Sequence, residues 1–97
     1  MENFAVEWDD KKNEENRRKH KIDFATAAHI FEDPYRIEKY DFEHSIDEDR
    51  YISIGLVRSI LTVVHTERGD KIRLISARKA DKKEVQEYYG QTGYERW

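Results

Sequence analysis

Three short alternating segments, Tyr51–Val57, Ile60–Thr66 and Lys71–Ala77, follow one another with almost nothing between them. Apolar and β-branched residues recur in them with the two-residue period of a strand that lays one face on a core. The gaps are Arg58-Ser59 and the four residues 67–70, in which Arg68-Gly69-Asp70 make the turn. Gaps this short permit only antiparallel hairpins, since a parallel return needs a crossover of a dozen or more residues. A three-stranded meander must still bury its inner face against something else, so the remaining chain has to supply the cover.

The flanking segments fit that demand. Phe4, Val6 and Trp8 alternate with Ala5 and Glu7 as a short strand. Asp23 is placed to cap a helix with Phe24, Ala27, Ala28 and Phe31 on one face, and Asp33-Pro34 stops it. Arg36–Phe42 alternates as an edge strand, and Glu43–Asp49 is an acidic loop. Asp81-Lys82-Lys83-Glu84 is an acidic capping box, with Ala80 and Val85 as its staple. Val85, Tyr88 and Tyr89 mark the last helix, Gly90 is expected to end it, and Gln91–Trp97 reads as a loosely held tail. The predicted order is β-α-α-β-β-β-β-α: an α+β fold whose antiparallel β-sheet carries two N-terminal helices and one C-terminal helix. With 97 residues the chain has room for one domain, 1–97, with its core at about 4–90.

The first helix is unusual. Asp9 or Asp10 can cap a segment running to about Lys21, yet residues 9–21 contain no apolar side chain. Periodicity alone assigns such a stretch to solvent or disorder. Lys12, Asn16 and His20 fall at i, i+4 and i+8 on one stripe. Either they hydrogen-bond across the domain and so fix the helix, or they reach a ligand. The first is the commoner use of such a stripe.

Composition narrows the chemistry. The chain has no cysteine, which excludes a disulfide framework, a thiolate zinc site and a cysteine nucleophile, and fits a reducing compartment. The start of the chain lacks a signal-peptide pattern, and the apolar runs are too short to span a bilayer, so a cytoplasmic protein with no membrane contact is expected. A formal net charge of -3 argues against bulk attraction to nucleic acid. The charges are segregated, however. Acids crowd residues 38–49, and from Arg68 to Lys83 cations dominate.

Several stretches resemble one family in order. Trp8-Asp9, Lys12, Asn16 and Lys19-His20 are similar to the WDxxKxxxNxxKH opening of the BrnT family. Phe24 and Ala27, then Glu48, Arg50 and Gly55, the segments VVHTER (63–68) and ISARKA (75–80), Glu84 and Tyr88 continue the likeness over roughly residues 6–89. One departure is the first hairpin turn, where the family often carries glycine and this chain has Arg58-Ser59. The resemblance implies a RelE-like fold and a ribonuclease toxin that arrests growth. It also implies a hetero-oligomeric complex with a BrnA-like ribbon-helix-helix antitoxin, through which alone the chain would meet DNA. RNA is the implied substrate, and no cofactor or metal is implied.

Metal-free RNA cleavage turns the 2′-hydroxyl on its neighbouring phosphate. The protein must supply a base, an acid for the leaving oxygen, and cations for the charge that builds on phosphorus. The catalytic candidates are Arg78, Arg50, Arg73, Glu48 and His65; the RNA-binding candidates are Lys79, Arg68 and Lys12. Arg78 and Lys79 stand where the last strand meets the last helix, a place where cations oppose the helix dipole and so hint at function. Glu48 and Arg50 bracket the entry to the first central strand, as a surface ion pair or as part of a site. His44 in the same loop is a base or simply an exposed histidine.

A two-residue turn at Arg58-Ser59 would pair Ile52 with His65. That register sets His65 on the face of Ile54, Leu56 and Val63, more a core-edge residue than a base, with Arg73 on the opposite, more open face. The cluster Glu43, His44, Asp47, Glu48 and Asp49 lacks the spacing of a calcium loop or a zinc motif. Tyr88, Tyr89, Tyr94 and Trp97 are core or interface residues, or stack on bases. A different class of function is a catalytically silent interaction module that keeps the fold and the antitoxin contact. A DNA-binding repressor has less support, because no recognition helix is visible.

Overall fold

The computed structural model describes residues 5–92. Along them run β1 (Ala5–Glu7), α1 (Asp10–His20), α2 (Phe24–Ala27) with a 3-10 turn (Ala28–Glu32), β2 (Ile37–Tyr40), β3 (Arg50–Val57), β4 (Ser59–Arg68), β5 (Lys71–Lys79) and α3 (Lys82–Thr92). Phe4, Tyr94 and Trp97, assigned above to a strand and a tail, lie outside the described residues. No described helix is long and apolar enough to cross a membrane.

One five-stranded sheet has the order β1-β5-β4-β3-β2. The three-stranded meander is present and β2 lies at an edge, as its spacing predicts. The sheet is mixed rather than antiparallel throughout, because β1 pairs parallel with β5 through Ala5–Lys71, Val6–Ile72 and Glu7–Arg73. Alternation signals a strand but not its direction, and β1 is tied to no neighbour by a hairpin that would fix it.

The first hairpin corrects the expected register. It turns on Arg58 alone, held at φ 65, and pairs Val57 with Ser59. This shifts every pair by one: His65 lies opposite Tyr51, and Ile52 opposite Val64. His65 therefore leaves the face of Ile52 and Ile54 and joins that of Ser53, Gly55 and Val63. Apolar alternation could not decide the register, because the sheet is covered on both sides. One core holds Ile22, Phe24, Ala27, Ile30, Phe31, Leu61, Val63, Leu74 and Ala77 beneath the N-terminal helices. The other holds Ile54, Ile60 and Tyr88 beneath α3. The second hairpin closes on Gly69, at φ 63, and Asp70, with Arg68 opposite Lys71.

Packing on the first face is close. A Cβ at Gly55 would lie 2.7 Å from Ile30, so glycine lets the 3-10 turn settle directly on β3. Asp33 then joins three elements: its carboxylate accepts from Leu56 N–H at 2.8 Å, the Tyr88 hydroxyl at 2.6 Å and Tyr35 N–H at 2.9 Å. Burial raises its pKa, but these bonds and the charge of Arg36 more than offset that, and the net shift is downward.

Capping proceeds as the sequence predicts at three helix starts. Asp9 accepts from Lys12 N–H and Asp23 from Ala25 N–H. Asp81 and Glu84 exchange reciprocal bonds of 2.8 and 2.9 Å. Gly90 does not end α3, which continues to Thr92. The Gln91 side chain donates to Tyr35 O at 2.6 Å and anchors that last turn.

The solvated helix α1 is fixed by amides rather than by apolar packing. Asn16, its one buried residue, donates to Ala77 O and Ile22 O, each at 2.9 Å, and accepts from Ala77 N–H at 3.0 Å. Its side chain thus pairs with the β5 edge where β1 has ended. Asn13 caps α2 by accepting from Phe24 N–H at 2.8 Å.

Candidate active site

The face of the sheet that carries α3 is only partly covered. Beyond the helix it opens into a cleft of about 410 Å³, lined by Asp41, Glu43, His44, Arg50, Ile52, Val64, Ile75, Ser76 and Arg78. Strands β3, β4 and β5 form its floor, and the loop between β2 and β3 forms one wall. Register explains the gathering: Arg50, Ile52, Val64, Ser76 and Arg78 all point to one side. A bulge between Val64 and His65 leaves Ile75 unpaired, since Val64 faces Ser76 and His65 faces Leu74. Such bulges re-aim side chains beside functional sites.

Arg78 is the best-fixed cation of the cleft. Its Nη1 and Nη2 donate to the two carboxylate oxygens of Glu84 at 2.8 and 3.0 Å. Glu84 also accepts from Thr62 Oγ1 at 2.9 Å and from Asp81 N–H. Burial alone would raise the pKa of Glu84; bonds from Arg78, Asp81 and Thr62, with the Arg78 charge, hold it at about 2. The same bond and charge raise the pKa of Arg78 against the effect of burial. A bidentate carboxylate both orients a guanidinium and spares it the entropy of ordering later.

Arg50 enters from the opposite strand. Its Nε is buried and, among the described residues, has no hydrogen-bond partner; Nη2 is 3.8 Å from Glu48, a loose contact. Glu48 is shared with Arg68 at 3.6 Å. The loop wall is organised by Ser45, whose hydroxyl donates to Asp41 O and accepts from Arg50 N–H, while Asp41 N–H donates to Arg50 O. This holds Asp41 in a buried position, where its carboxylate meets Nδ1 of His44 at 3.0 and 3.1 Å. The His44 side chain is 63% exposed and lines the cleft, and its Nδ1 alone is engaged by Asp41. A buried carboxylate on one imidazole nitrogen fixes the ring and its tautomer for proton transfer through the other.

The structure brings together two of the five catalytic candidates, Arg50 and Arg78, and leaves Glu48 beside Arg50. Arg73 shares their face but lies further along β5, bound to Glu7 at 3.0 Å. His65 is a correction. It is buried on the opposite face, stacked on Tyr51 and edge-on to Phe31, with Nε2 2.8 Å from Ser53 Oγ. Burial lowers its pKa to about 4, opposed by Glu38 and aided by Arg36. An inaccessible neutral imidazole cannot exchange protons with a ligand in the cleft.

Of the RNA-binding candidates, Lys79 pairs with Leu61 and alternates away from Arg78, so it too faces the other side. Arg68 is at the far end of β4, on Glu48. Lys12 lines a smaller hollow beside the cleft. Asp41 and Ser76 were not singled out from sequence. The Asp41-His44 spacing in a loop that must turn was the available signal; Ser76 had none, because its direction depends on the bulge. Among the described residues, no group of three or more histidine and carboxylate side chains is placed to hold a metal ion.

Comparison with known proteins gives two positive findings. A family model described as the ribonuclease toxin BrnT of type II toxin–antitoxin systems matches residues 8–84. Among solved structures, the 1.1 Å crystal structure of the Brucella abortus ribonuclease toxin BrnT is similar, with 26% sequence identity and a TM-score of 0.62. That likeness covers 82% of this chain and all of the Brucella chain. No curated protein sequence matches.

Proposed function

Since the chain belongs to the BrnT family of ribonuclease toxins of type II toxin–antitoxin systems, we propose that it is a RelE-like endoribonuclease that cuts RNA without a metal ion. The observation that carries this reading is the convergence of Arg50, Arg78 and the Asp41–His44 pair on one cleft. In the proposed reaction Arg50 and Arg78 hold the scissile phosphate and meet the charge that builds on it. His44, steadied by Asp41, takes the 2′-hydroxyl proton through Nε2 or returns one to the leaving 5′-oxygen. Ile52, Val64 and Ile75 give the apolar floor on which these charge interactions strengthen.

The proposed partner is a BrnA-like ribbon-helix-helix antitoxin that forms a hetero-oligomer in the cytoplasm and covers the cleft face. Any contact with DNA would then run through the antitoxin. Cover of that face is the direct way to silence the site, and α3, whose partly buried Tyr89 packs on the core of the same face, offers an aromatic contact of the kind interfaces favour.

The test is cleavage of RNA by the purified chain in excess EDTA, with analysis of the ends. Cleavage with 2′,3′-cyclic phosphate ends is expected. Loss of activity in EDTA that a divalent ion restores would overturn the metal-free mechanism. A folded, antitoxin-binding chain that cuts no RNA would instead make it a silent interaction module.

A further inference from the structure

A second, smaller hollow of about 150 Å³ lies between α1 and β5, lined by Lys12, Glu15, Asn16, Lys19, His20, Ile75 and Ser76. Ile75 and Ser76 also line the main cleft, so the two depressions meet at the β5 bulge. The strand edge makes this passage possible. β1 pairs with β5 only from Lys71 to Arg73, and beyond that the edge is met by the Asn16 amide of α1. A ligand leaving the cleft across Ser76 therefore meets α1.

Helix α1 has no evident purpose as a core element. It buries one residue, Asn16, and uses that residue for attachment to β5. Its stripe Lys12, Glu15, Asn16, Lys19 and His20, at i, i+3, i+4, i+7 and i+8, is the wall of the hollow. The lysines differ from the arginines of the sheet. Arg50, Arg68, Arg73 and Arg78 each meet a carboxylate. Among the described residues, neither Lys12 nor Lys19 has an ion-pair partner.

We infer that this hollow is a second RNA subsite, in which Lys12 and Lys19 hold a backbone phosphate of a nucleotide next to the one cut in the Arg50–Arg78 cleft. This rests on the reading of the cleft as an RNA-cleaving site. RNA is favoured over a protein segment because the hollow offers one apolar side chain, Ile75, whereas a protein interface needs buried apolar or aromatic anchors. Glu15 is the one anion of the wall and limits how many phosphates it takes.

The test compares the parent with the double variant Lys12→Ala/Lys19→Ala on a dinucleotide and on an oligonucleotide of the same cut site. The ratio of kcat/KM for the oligonucleotide to that for the dinucleotide should fall roughly ten- to fiftyfold, through KM. Lys12→Arg/Lys19→Arg should restore most of it. Anisotropy of a labelled oligonucleotide with 2′-deoxyribose at the cut site should show a matching loss of affinity and a salt slope smaller by about 1–2. An unchanged ratio with unchanged affinity would refute the subsite. So would unchanged RNA affinity with weakened antitoxin binding, which would assign the hollow to protein. If the parent cuts no RNA, the reading of the cleft fails, and the anisotropy arm still decides whether α1 binds RNA.

Discussion

Replacement of Asn16 by alanine should strip α1 from the sheet, and the size of the effect follows from the bonds lost. The amide serves three buried backbone groups: Ala77 N–H, Ala77 O and Ile22 O. Ala77 is fully buried, and Ile22 nearly so. Each orphaned group costs about 1–3 kcal/mol, and water admitted beside a solvated helix recovers part of that. The net loss should be about 3–5 kcal/mol, a large share of the 5–15 kcal/mol that holds a typical domain. In a chain of this size the midpoint should drop by about 15–25 °C. Asn16→Asp separates hydrogen bonding from shape. It keeps the acceptor for Ala77 N–H but sets a carboxylate against two carbonyl oxygens, so at neutral pH it should cost at least as much as alanine. The folded pKa of the introduced carboxyl is then raised, and stability should recover as pH falls and the protonated form can donate. Urea denaturation followed by circular dichroism at several pH values measures both variants. A loss below about 1 kcal/mol for Asn16→Ala, or an Asn16→Asp variant as stable as the parent at neutral pH, would refute the reasoning.

Three further outcomes follow from the same geometry. Arg78→Ala should leave the fold nearly intact and lower RNA cleavage by roughly 10²–10³, the effect of one charge-assisted contact to a transition-state phosphate; a folded variant cutting at the parent rate would remove Arg78 from the clamp. His65 has a folded pKa of about 4 against 6.5 when free. The unfolded chain therefore takes up its proton first: this contribution is whole above about pH 6.5 and falls by about 3 kcal/mol as pH drops through 4. His65→Gln should flatten that limb of the stability profile, and parallel profiles would count against a buried neutral imidazole. Arg58→Gly should stabilise the chain by up to about 1 kcal/mol in thermal or urea unfolding, since Arg58 holds a positive φ that glycine adopts without strain; a loss of stability would show that the Arg58 side chain contributes more than its backbone costs.

How far the sequence revealed this molecule depends on the range of the interaction in question. Helix caps are local, and Asp9, Asp23 and the Asp81–Glu84 box are where the residue pattern puts them. The meander was legible because its gaps are too short for any other connection. The hairpin register was not, for Arg58 offers no glycine to mark a left-handed turn, and apolar residues lie on both faces of β3 and β4. That one-residue shift decides the fate of His65. Arg50 and Arg78 emerged from sequence as separate suspicions, at the start of one strand and the end of another. Their convergence needed the register and the bulge at Ile75, neither of which leaves a compositional trace. The role of Asn16 was half visible: the stripe Lys12, Asn16 and His20 pointed to hydrogen bonds across the domain, but not to a side chain pairing with a strand edge.

A net charge of -3 and the proposed site for RNA are compatible because charge acts here at two ranges. At long range the summed charge governs attraction, and an acidic protein gathers polyanions poorly. At short range the arrangement of donors decides. Glu84, Glu48 and Glu7 sit directly behind Arg78, Arg50 with Arg68, and Arg73. These carboxylates mute the field of the basic face, yet they leave guanidinium donors over. Glu84 takes one hydrogen from each of Nη1 and Nη2 of Arg78 and Lys79 O takes the second of Nη1, which among the described residues leaves two of the five guanidinium donors, one on Nη2 and the one on Nε. In the proposed reaction the fixed remainder takes a phosphate that arrives in one orientation, with little side-chain entropy left to lose. The lysines of α1 would supply what the paired arginines lack, attraction without imposed direction. The acidic balance thus weakens non-specific binding to nucleic acid while the cleft keeps the geometry that the proposed cut requires.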